Sequence, residues 1–546
     1  MNLGIIITIV IMSIAALDHY YRRLNLTNQE FTGDERKEIA LKRLKELSED
    51  PTATDVEIES LTEEQEEWIN KKLPNDPFKN TENNKSEISD EEWSKVLVEK
   101  YQNLEKISKE TMPGLWESLE FELSVNKILN IRNCTLPLAG ILLGPPGALK
   151  TVGIELFRKS RNTFYTDNFS AKAFVSHSTA VKRQELEKID LLPKIKNQFF
   201  LTPELSPTFA KKDEDLIETL GIITRVLDGQ GYESDTGAHG HRGYHGEYMF
   251  TWVGASVDIP HKVHKYLGTL GPKLYFFRLP LIEKSDDEYI TQMISDDFSS
   301  KTDRIQEALN DYQKWFDLYP EIIVQGNLTK ISWDNDKNDK ETNQIVLRLG
   351  KLLAHLRAVV TTWETEDTQG LDYAYRLAIR EDPTRAMVQL RNLARGHALS
   401  QGRNYLTLED MPILIKVVLS TASLERVRVF ELLMAYRGKL TTSQITVSLN
   451  MSNPTAKKTM AELLAIGLVT LGEIESQQGS LEKQITLKDE FDWFLSSDFQ
   501  SVRNLPPYYS RKTIPDDEQG GYFSYTYAKQ VLLNSVLPRT DRNGPT

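Results

Sequence analysis

The residues Gly144-Pro145-Pro146-Gly147-Ala148-Leu149-Lys150-Thr151 form a stretch whose types and spacing suit one kind of chemistry. A glycine-rich turn between a buried strand and a helix aims successive backbone N–H groups inward, at the positive end of the helix dipole. Phosphate binds to such a concavity. At the end of the turn, Lys150 would reach the β- and γ-phosphates of a nucleoside triphosphate, and the Thr151 hydroxyl would serve Mg²⁺. The pattern departs from the usual loop at Leu149, where a glycine is expected. Glycine belongs where backbone approaches a ligand or takes a positive φ, so a leucine must reshape the cradle or pack against the sheet.

Positioning that loop requires an α/β frame. Leu136 to Leu143 (LPLAGILL) reads as a buried strand entering the turn, and Thr151 to Arg158 as the helix leaving it. Further strands are expected at Gln198 to Leu201, Tyr248 to Ala255 and Lys273 to Leu279, separated by helical stretches. Strands alternating with helices imply a parallel sheet covered on both faces. Helical patterns occupy residues 346–420, and an irregular tail fills 496–546.

Composition bounds the rest. The chain has 546 residues, 40% of them hydrophobic and 27% charged, which excludes collagen, full-length disorder and a polytopic membrane protein. With 79 acidic against 66 basic residues the net charge is −13, so contact with nucleic acid would need a local basic patch. The single cysteine, Cys134, allows no internal disulfide and fits a reducing, cytoplasmic setting. Leu3 to Leu17 is an uncharged apolar run followed by Arg22 and Arg23; at fifteen residues it is short of the ~20 that span a bilayer. Residues 1–23 therefore read as a membrane anchor, a buried helix or a start placed too far upstream. Residues 24–110 read as a charged helical arm with little core of its own.

In order and spacing, GILLGPPGALKT, FFLTPE, MFTWVGAS and a late helical segment resemble AAA+ P-loop ATPases, including divergent members from archaea and mobile elements with suggested helicase or loader roles. The likeness is piecewise and runs from about Leu136 to Leu419. It implies an AAA+-like core at 111–345, a helical lid at 346–420, ATP and Mg²⁺ as cofactors, and a homo-oligomer. By position, Glu204 matches the acid that polarises the attacking water, while Pro203 replaces the aspartate that assists the metal. Metal positioning then rests on Thr151, the nucleotide and Thr202. Ser256 matches the polar residue that senses the γ-phosphate. Lys273 stands where a trans-acting finger precedes the last strand, with Arg278 as the alternative. Arg385, opening the helix after Pro383, matches the lid arginine that contacts the γ-phosphate.

Two further features bear on a polymer substrate. Gly237 to Gly246 holds three of the nine histidines. A zinc site completed by Asp228 and Asp235 would lack cysteine and a rigid cage. In its position between the acid strand and the sensor strand, a glycine-hinged loop bearing His239, His241, Arg242 and Tyr244 would contact a phosphate backbone and stack on bases. Residues 421–495 follow a helix, helix, helix, β-hairpin order, as in a winged helix. Its third helix offers Thr455, Lys457, Lys458 and Thr459 to DNA. The span 421–498 holds 8 basic and 10 acidic residues, which is weak for DNA and leaves a protein-binding role open. The leading expectation is an ATP-driven motor or switch on DNA or RNA. The alternatives are a catalytically weak, nucleotide-gated DNA-binding or scaffold protein and a membrane-tethered, chaperone-like ATPase.

Overall fold

The computed structural model describes residues 88–504, apart from 238, 281, 283, 296, 320–323, 326–327, 366–372 and 476–480. The chain divides into two units at Glu87 and Ile88, and the described residues all belong to the second. The expected anchor at 3–17, the arm up to residue 87 and the tail beyond 504 lie outside the described residues. Among the described residues no helix is long and apolar enough to cross a membrane.

The chain opens with α1 (Asp90–Thr111) and α2 (Leu115–Lys127). Ser89 caps α1 by accepting the Glu92 N–H, and three acidic residues in the first turn complement the helix dipole. Trp93, Leu97, Tyr101 and Leu104 recur at helical spacing and are buried. The expected arm is therefore corrected at its end, because 90–110 is part of the core.

Five parallel strands follow: β1 (Leu138–Leu143), β2 (Thr163–Tyr165), β3 (Phe199–Thr202), β6 (Thr251–Ser256) and β7 (Leu274–Arg278). Their order in the sheet is β2-β3-β6-β1-β7. Between β3 and β6 the chain forms α4 (Asp213–Val226) and an antiparallel hairpin, β4 (Gly231–Thr236) and β5 (Gly240–His245). The helix after β1 is α3 (Lys150–Leu156), and α5 (His261–Leu270) joins β6 to β7. Every residue of β1, β3 and β6 is buried, as a sheet covered on both faces requires. Leu138 and Leu142 point into a core built with α1, α2 and the later helices, whereas Ala139, Ile141 and Leu143 face the core of α4 and α5.

After β7 come α6 (Asp286–Ile294), α7 (Phe298–Phe316), α8 (Lys340–Leu356), a short hairpin of β8 (Thr362–Glu364) and β9 (Tyr373–Tyr375), α9 (Thr384–Ser400) and α10 (Met411–Thr421). The segment expected as a lid packs mainly on α2, on itself and on β7. Gly396 is the point of closest approach, since a Cβ there would meet the Ser124 carbonyl at 2.0 Å. Ser420 and Thr421 hydroxyls accept the Arg278 and Phe276 N–H groups at 3.0 Å each, which satisfies the exposed edge of β7. The C-terminal part holds α11 (Leu424–Ala435), β10 (Lys439–Thr441), α12 (Thr442–Leu449), α13 (Asn453–Ala465), β11 (Val469–Glu475) and β12 (Leu481–Leu487), with strand order β10-β12-β11.

A buried network ties α2, α9 and α10 together. His397 bonds Asp410 at 2.8 Å, Asp410 takes a bidentate pair from Arg403, and Glu120 stands 3.5 Å from the other imidazole nitrogen. Burial opposes charge on His397, but the hydrogen bonds to Asp410 and Glu120 and their charges prevail and raise it to about 9. Because the folded pKa exceeds the unfolded value, this contribution is complete below pH ~6.5 and disappears as pH rises through 9. Its size is about 3 kcal/mol. Denaturant melts from pH 6 to 10 are expected to show that alkaline loss in the wild type and a much flatter profile in His397→Asn. Equal slopes would contradict the assignment.

Candidate phosphate-binding and catalytic site

The sheet order brings the carboxyl ends of β3, β6 and β1 side by side. Leu143 sits opposite Ser256, and the N–H of Gly144 lies 3.4 Å from the Ser256 carbonyl. The turn 144–149 therefore leaves the sheet directly beside the end of β6. Gly147 has φ +88 with open space where a Cβ would stand, and Leu149 caps α3 with φ 57 and ψ 12. Both positions are left-handed, so the loop does demand at residue 149 the conformation for which glycine is the usual solution. Leucine meets the demand by packing its half-buried side chain against the main apolar core.

Lys150 is 8% exposed, and its ammonium donates to the carbonyls of Gly144 at 2.5 Å and Pro145 at 2.9 Å. Burial pushes its pKa down, and the charge of Glu204 opposes that shift. Thr151 is exposed on the first turn of α3. Glu204 is also exposed and accepts the Ser206 N–H at 2.7 Å. The Ser206 hydroxyl lies 3.0 Å from that of Ser256, which donates to the Asp258 carbonyl at 3.0 Å. Ser206 thus couples the acid after β3 to the residue ending β6. It is absent from the residues expected from sequence, where its only signal was position, two residues beyond the acid. Thr202 is corrected as a metal helper: it is fully buried and its hydroxyl accepts the Trp252 indole N–H at 2.8 Å.

The two cations assigned to phosphate chemistry lie elsewhere. Lys273 precedes β7 at the amino end of the sheet, whereas Arg278 pairs with Leu143 at the loop end. Lys273 donates to Asp228 at 2.5 Å and to the Thr224 carbonyl at 2.8 Å. Arg385 grips the same carboxylate at 2.8 and 2.9 Å. Neither is brought to the 144–151 turn of its own chain. Of the three, Arg278 lies at the carboxyl end of the sheet, with its guanidinium 3.3 Å from Asp258.

The hairpin also departs from expectation. Arg242 is buried and donates to Asp190 at 2.7 Å and to the Ser176 carbonyl, and the Tyr244 hydroxyl donates to Asp190 at 2.7 Å. Asp190 is fully buried and accepts the Ser176 N–H at 2.6 Å, so it anchors the hairpin to the segment before β3. His239 approaches the Ser178 carbonyl at 3.0 Å. His241 is exposed between Asp235 at 3.2 Å and Glu233 at 3.7 Å, and the hydrogen bond and charge of Asp235 raise its pKa. The outer face is therefore partly acidic, and the arginine meant for a phosphate backbone is spent inside. Among the described residues no group of three or more His, Cys, Asp or Glu side chains could hold a metal ion.

On α13 the Ser452 hydroxyl accepts the Thr455 N–H at 3.3 Å and lies 2.7 Å from the Thr455 hydroxyl. Thr455 and Lys458 are exposed and Lys457 is half-buried. Thr459 is buried, which corrects its placement on the accessible side. The β8–β9 hairpin packs on this helix.

No family model matches the chain, and no curated protein matches it. Among solved structures it is similar to "The A form apo structure of NrS-1 C terminal region-CTR", at 11% identity over 71% of this chain and 75% of that one, with a TM-score of 0.22. A score that low adds nothing to the reading of the site.

The left-handed Leu149 supports a prediction of its own. Changing it to glycine relieves a left-handed strain of roughly 1 kcal/mol. It also removes roughly 1–1.5 kcal/mol of apolar contact and adds roughly 0.5–1 kcal/mol of backbone entropy cost. Leu149→Gly is expected to lower the melting temperature by a few degrees and to leave nucleotide affinity and turnover unimproved. A gain of activity at unchanged melting would show a cradle crowded by leucine.

Proposed function

We propose that the protein is an AAA+-like P-loop ATPase that couples a nucleotide cycle to its C-terminal module, with DNA or RNA as the polymer it acts on. One observation carries the reading: the phosphate loop with Lys150, the carboxylate of Glu204 and the hydroxyl of Ser256 converge at the ends of three adjacent parallel strands. The residues fit ATP and Mg²⁺. Gly147 leaves the cradle open, Lys150 is a cation already inside it, and Thr151 presents an exposed hydroxyl at the helix start.

ATP supplies the reactive phosphoanhydride and Mg²⁺ screens its charge. Lys150 would exchange its two loop carbonyls for phosphate oxygens. Thr151 would hold the metal, and Glu204 would orient and polarise water as general base. Ser206 keeps Glu204 and Ser256 in register. The order of α11, β10, α12, α13, β11 and β12 supports a winged-helix reading of the C-terminal part. Arg426, paired within that part to Glu462 of α13 at 2.9 Å, joins it to the body through the carbonyls of Leu356 and Ala358.

A second reading, a slow nucleotide-gated switch, is favoured by Pro203, which is buried where a metal-assisting carboxylate is expected. The deciding experiment measures ATP binding and turnover alone and with single- and double-stranded DNA and RNA. Turnover stimulated by nucleic acid supports the motor. Tight binding with negligible turnover supports the switch, and no binding of ATP at millimolar concentration refutes both.

A further inference from the structure

Five arginines are buried among the described residues, and four of them hold a carboxylate: Arg242 with Asp190, Arg357 with Glu381, Arg403 with Asp410 and Arg426 with Glu462. The fifth, Arg395 of α9, holds none. It is 8% exposed, and its one hydrogen bond among the described residues runs to the Asn392 amide oxygen at 3.4 Å. Its guanidinium carbon stands 4.8 Å from the centre of the Trp333 ring. The Nε of Arg395 and the indole N–H of Trp333 are both buried and bond to nothing among the described residues. Buried donors left in this way are rare in folded proteins, and a buried charge without a counter-charge is costly.

Two more cations share the place. Arg391 lies one turn before Arg395 on α9, half-buried, and donates to the Asn335 amide oxygen at 2.7 Å. Lys330 is 7% exposed and donates to the Leu129 carbonyl at 2.7 Å, much as Lys150 rests on the carbonyls of its own turn. The charges of Arg395, Lys330 and Arg391 all act on the Cys134 thiol, so the three gather around one point. Burial outweighs them and pushes that thiol up, which keeps it protonated and without charge to offer. Burial also lowers the three cations, Arg395 to about 10, where the charge of Arg391 adds to the shift. Exposed Glu247 acts on Lys330 from a distance, less than burial does. Asp334 is engaged by Lys337 at 3.2 Å. Arg132, exposed and two residues from Cys134, reaches the Ser332 hydroxyl at 3.4 Å. Each of these arginines thus ends on a neutral partner.

We infer that Lys330, Arg391 and Arg395 form a second anion site, which takes a terminal phosphate group. Three fixed cations with neutral partners match a phosphomonoester, doubly charged at neutral pH, better than a carboxylate or a phosphodiester with one charge. Guanidinium forks also suit the geometry of phosphate oxygens. The site is separate from the 144–151 turn. Cys134 lies four residues before β1, and the Gln389 amide of α9 donates to the Pro137 carbonyl at 2.6 Å, so the cluster stands at the amino end of the sheet. The length of β1, about 20 Å of extended chain, lies between it and the turn. The inference stands apart from the ATPase reading.

The test measures binding of labelled inorganic phosphate by equilibrium dialysis, with thermal melting alongside, on the full chain carrying Lys150→Ala so that the 144–151 turn takes no part. Phosphate is expected to bind and to raise the melting temperature. Lys330→Met and Arg395→Gln, each made in that chain, are expected to weaken phosphate about 10-fold or more. Without phosphate they should melt no lower than the parent, because each removes an uncompensated buried charge. Competitors then name the source. Displacement by AMP points to free nucleotides, displacement by an oligonucleotide with a 5′-phosphate points to strand ends, and displacement by neither points to phosphate itself; all three uphold the site. No binding at millimolar phosphate, or variants that bind like the parent, would overturn the inference. So would variants that melt well below the parent without phosphate, since the cations would then be structural. An oligonucleotide with a 5′-hydroxyl that competes as well as the phosphorylated one would overturn the terminal-phosphate assignment.

Discussion

Lys150→Ala is expected to abolish nucleotide binding, with affinity for ATP falling about 100-fold or more. The ammonium is the cation held inside the turn, where it is desolvated and bonded to the carbonyls of Gly144 and Pro145. Charge-assisted hydrogen bonds to phosphate contribute about 1.5–3 kcal/mol each, and a lysine makes more than one. The mutation also frees two carbonyls that can turn to solvent, so melting is expected to change little. Titration of a fluorescent ATP analogue, with thermal melting alongside, separates lost affinity from lost structure. Wild-type affinity in a folded mutant would remove the phosphate loop from the proposed function.

Glu204→Gln is expected to keep nucleotide binding and to lose turnover by roughly 10²–10⁴-fold, the usual worth of a positioned general base. The structure makes this substitution conservative, because an amide oxygen can still accept the Ser206 N–H that Glu204 now accepts at 2.7 Å. The bridge from Ser206 to Ser256 would survive, leaving the lost carboxylate charge as the chemical change. Single-turnover hydrolysis beside equilibrium binding checks it. Parental turnover would place the base elsewhere at the carboxyl ends of the strands.

The residues of the candidate site were legible because each belongs to a short continuous pattern. The strand Leu138–Leu143, the turn after it and the start of α3 occupy consecutive positions, and the acid and the serine each end an apolar run. The three helices and the hairpin of the C-terminal part were legible for the same reason, since caps such as Ser452 and breaks such as Gly467 are local signals. Position 149 stood out as a leucine in the sequence, but its left-handed backbone and its packing became visible only with the fold.

Charged side chains were misplaced wherever their partner lay far along the chain. Arg385 and Asp228 are 157 residues apart, and Arg242 and Asp190 are 52 apart. A cation near a motif is indistinguishable in sequence from one facing a phosphate, because periodicity records burial and not the sign of the neighbour. By itself the sequence determined the strand, glycine-proline turn and helix around residues 138–156, the alternation of strands and helices and the acid after β3, all consequences of local backbone chemistry and hydrophobic period. Only the tertiary structure decided the strand order, the spending of Lys273, Arg385 and Arg242 on buried or half-buried aspartates, and the exposure of α6. Those depend on which distant carboxylate reaches a cation first, and desolvation makes that pairing obligatory once the chain has folded.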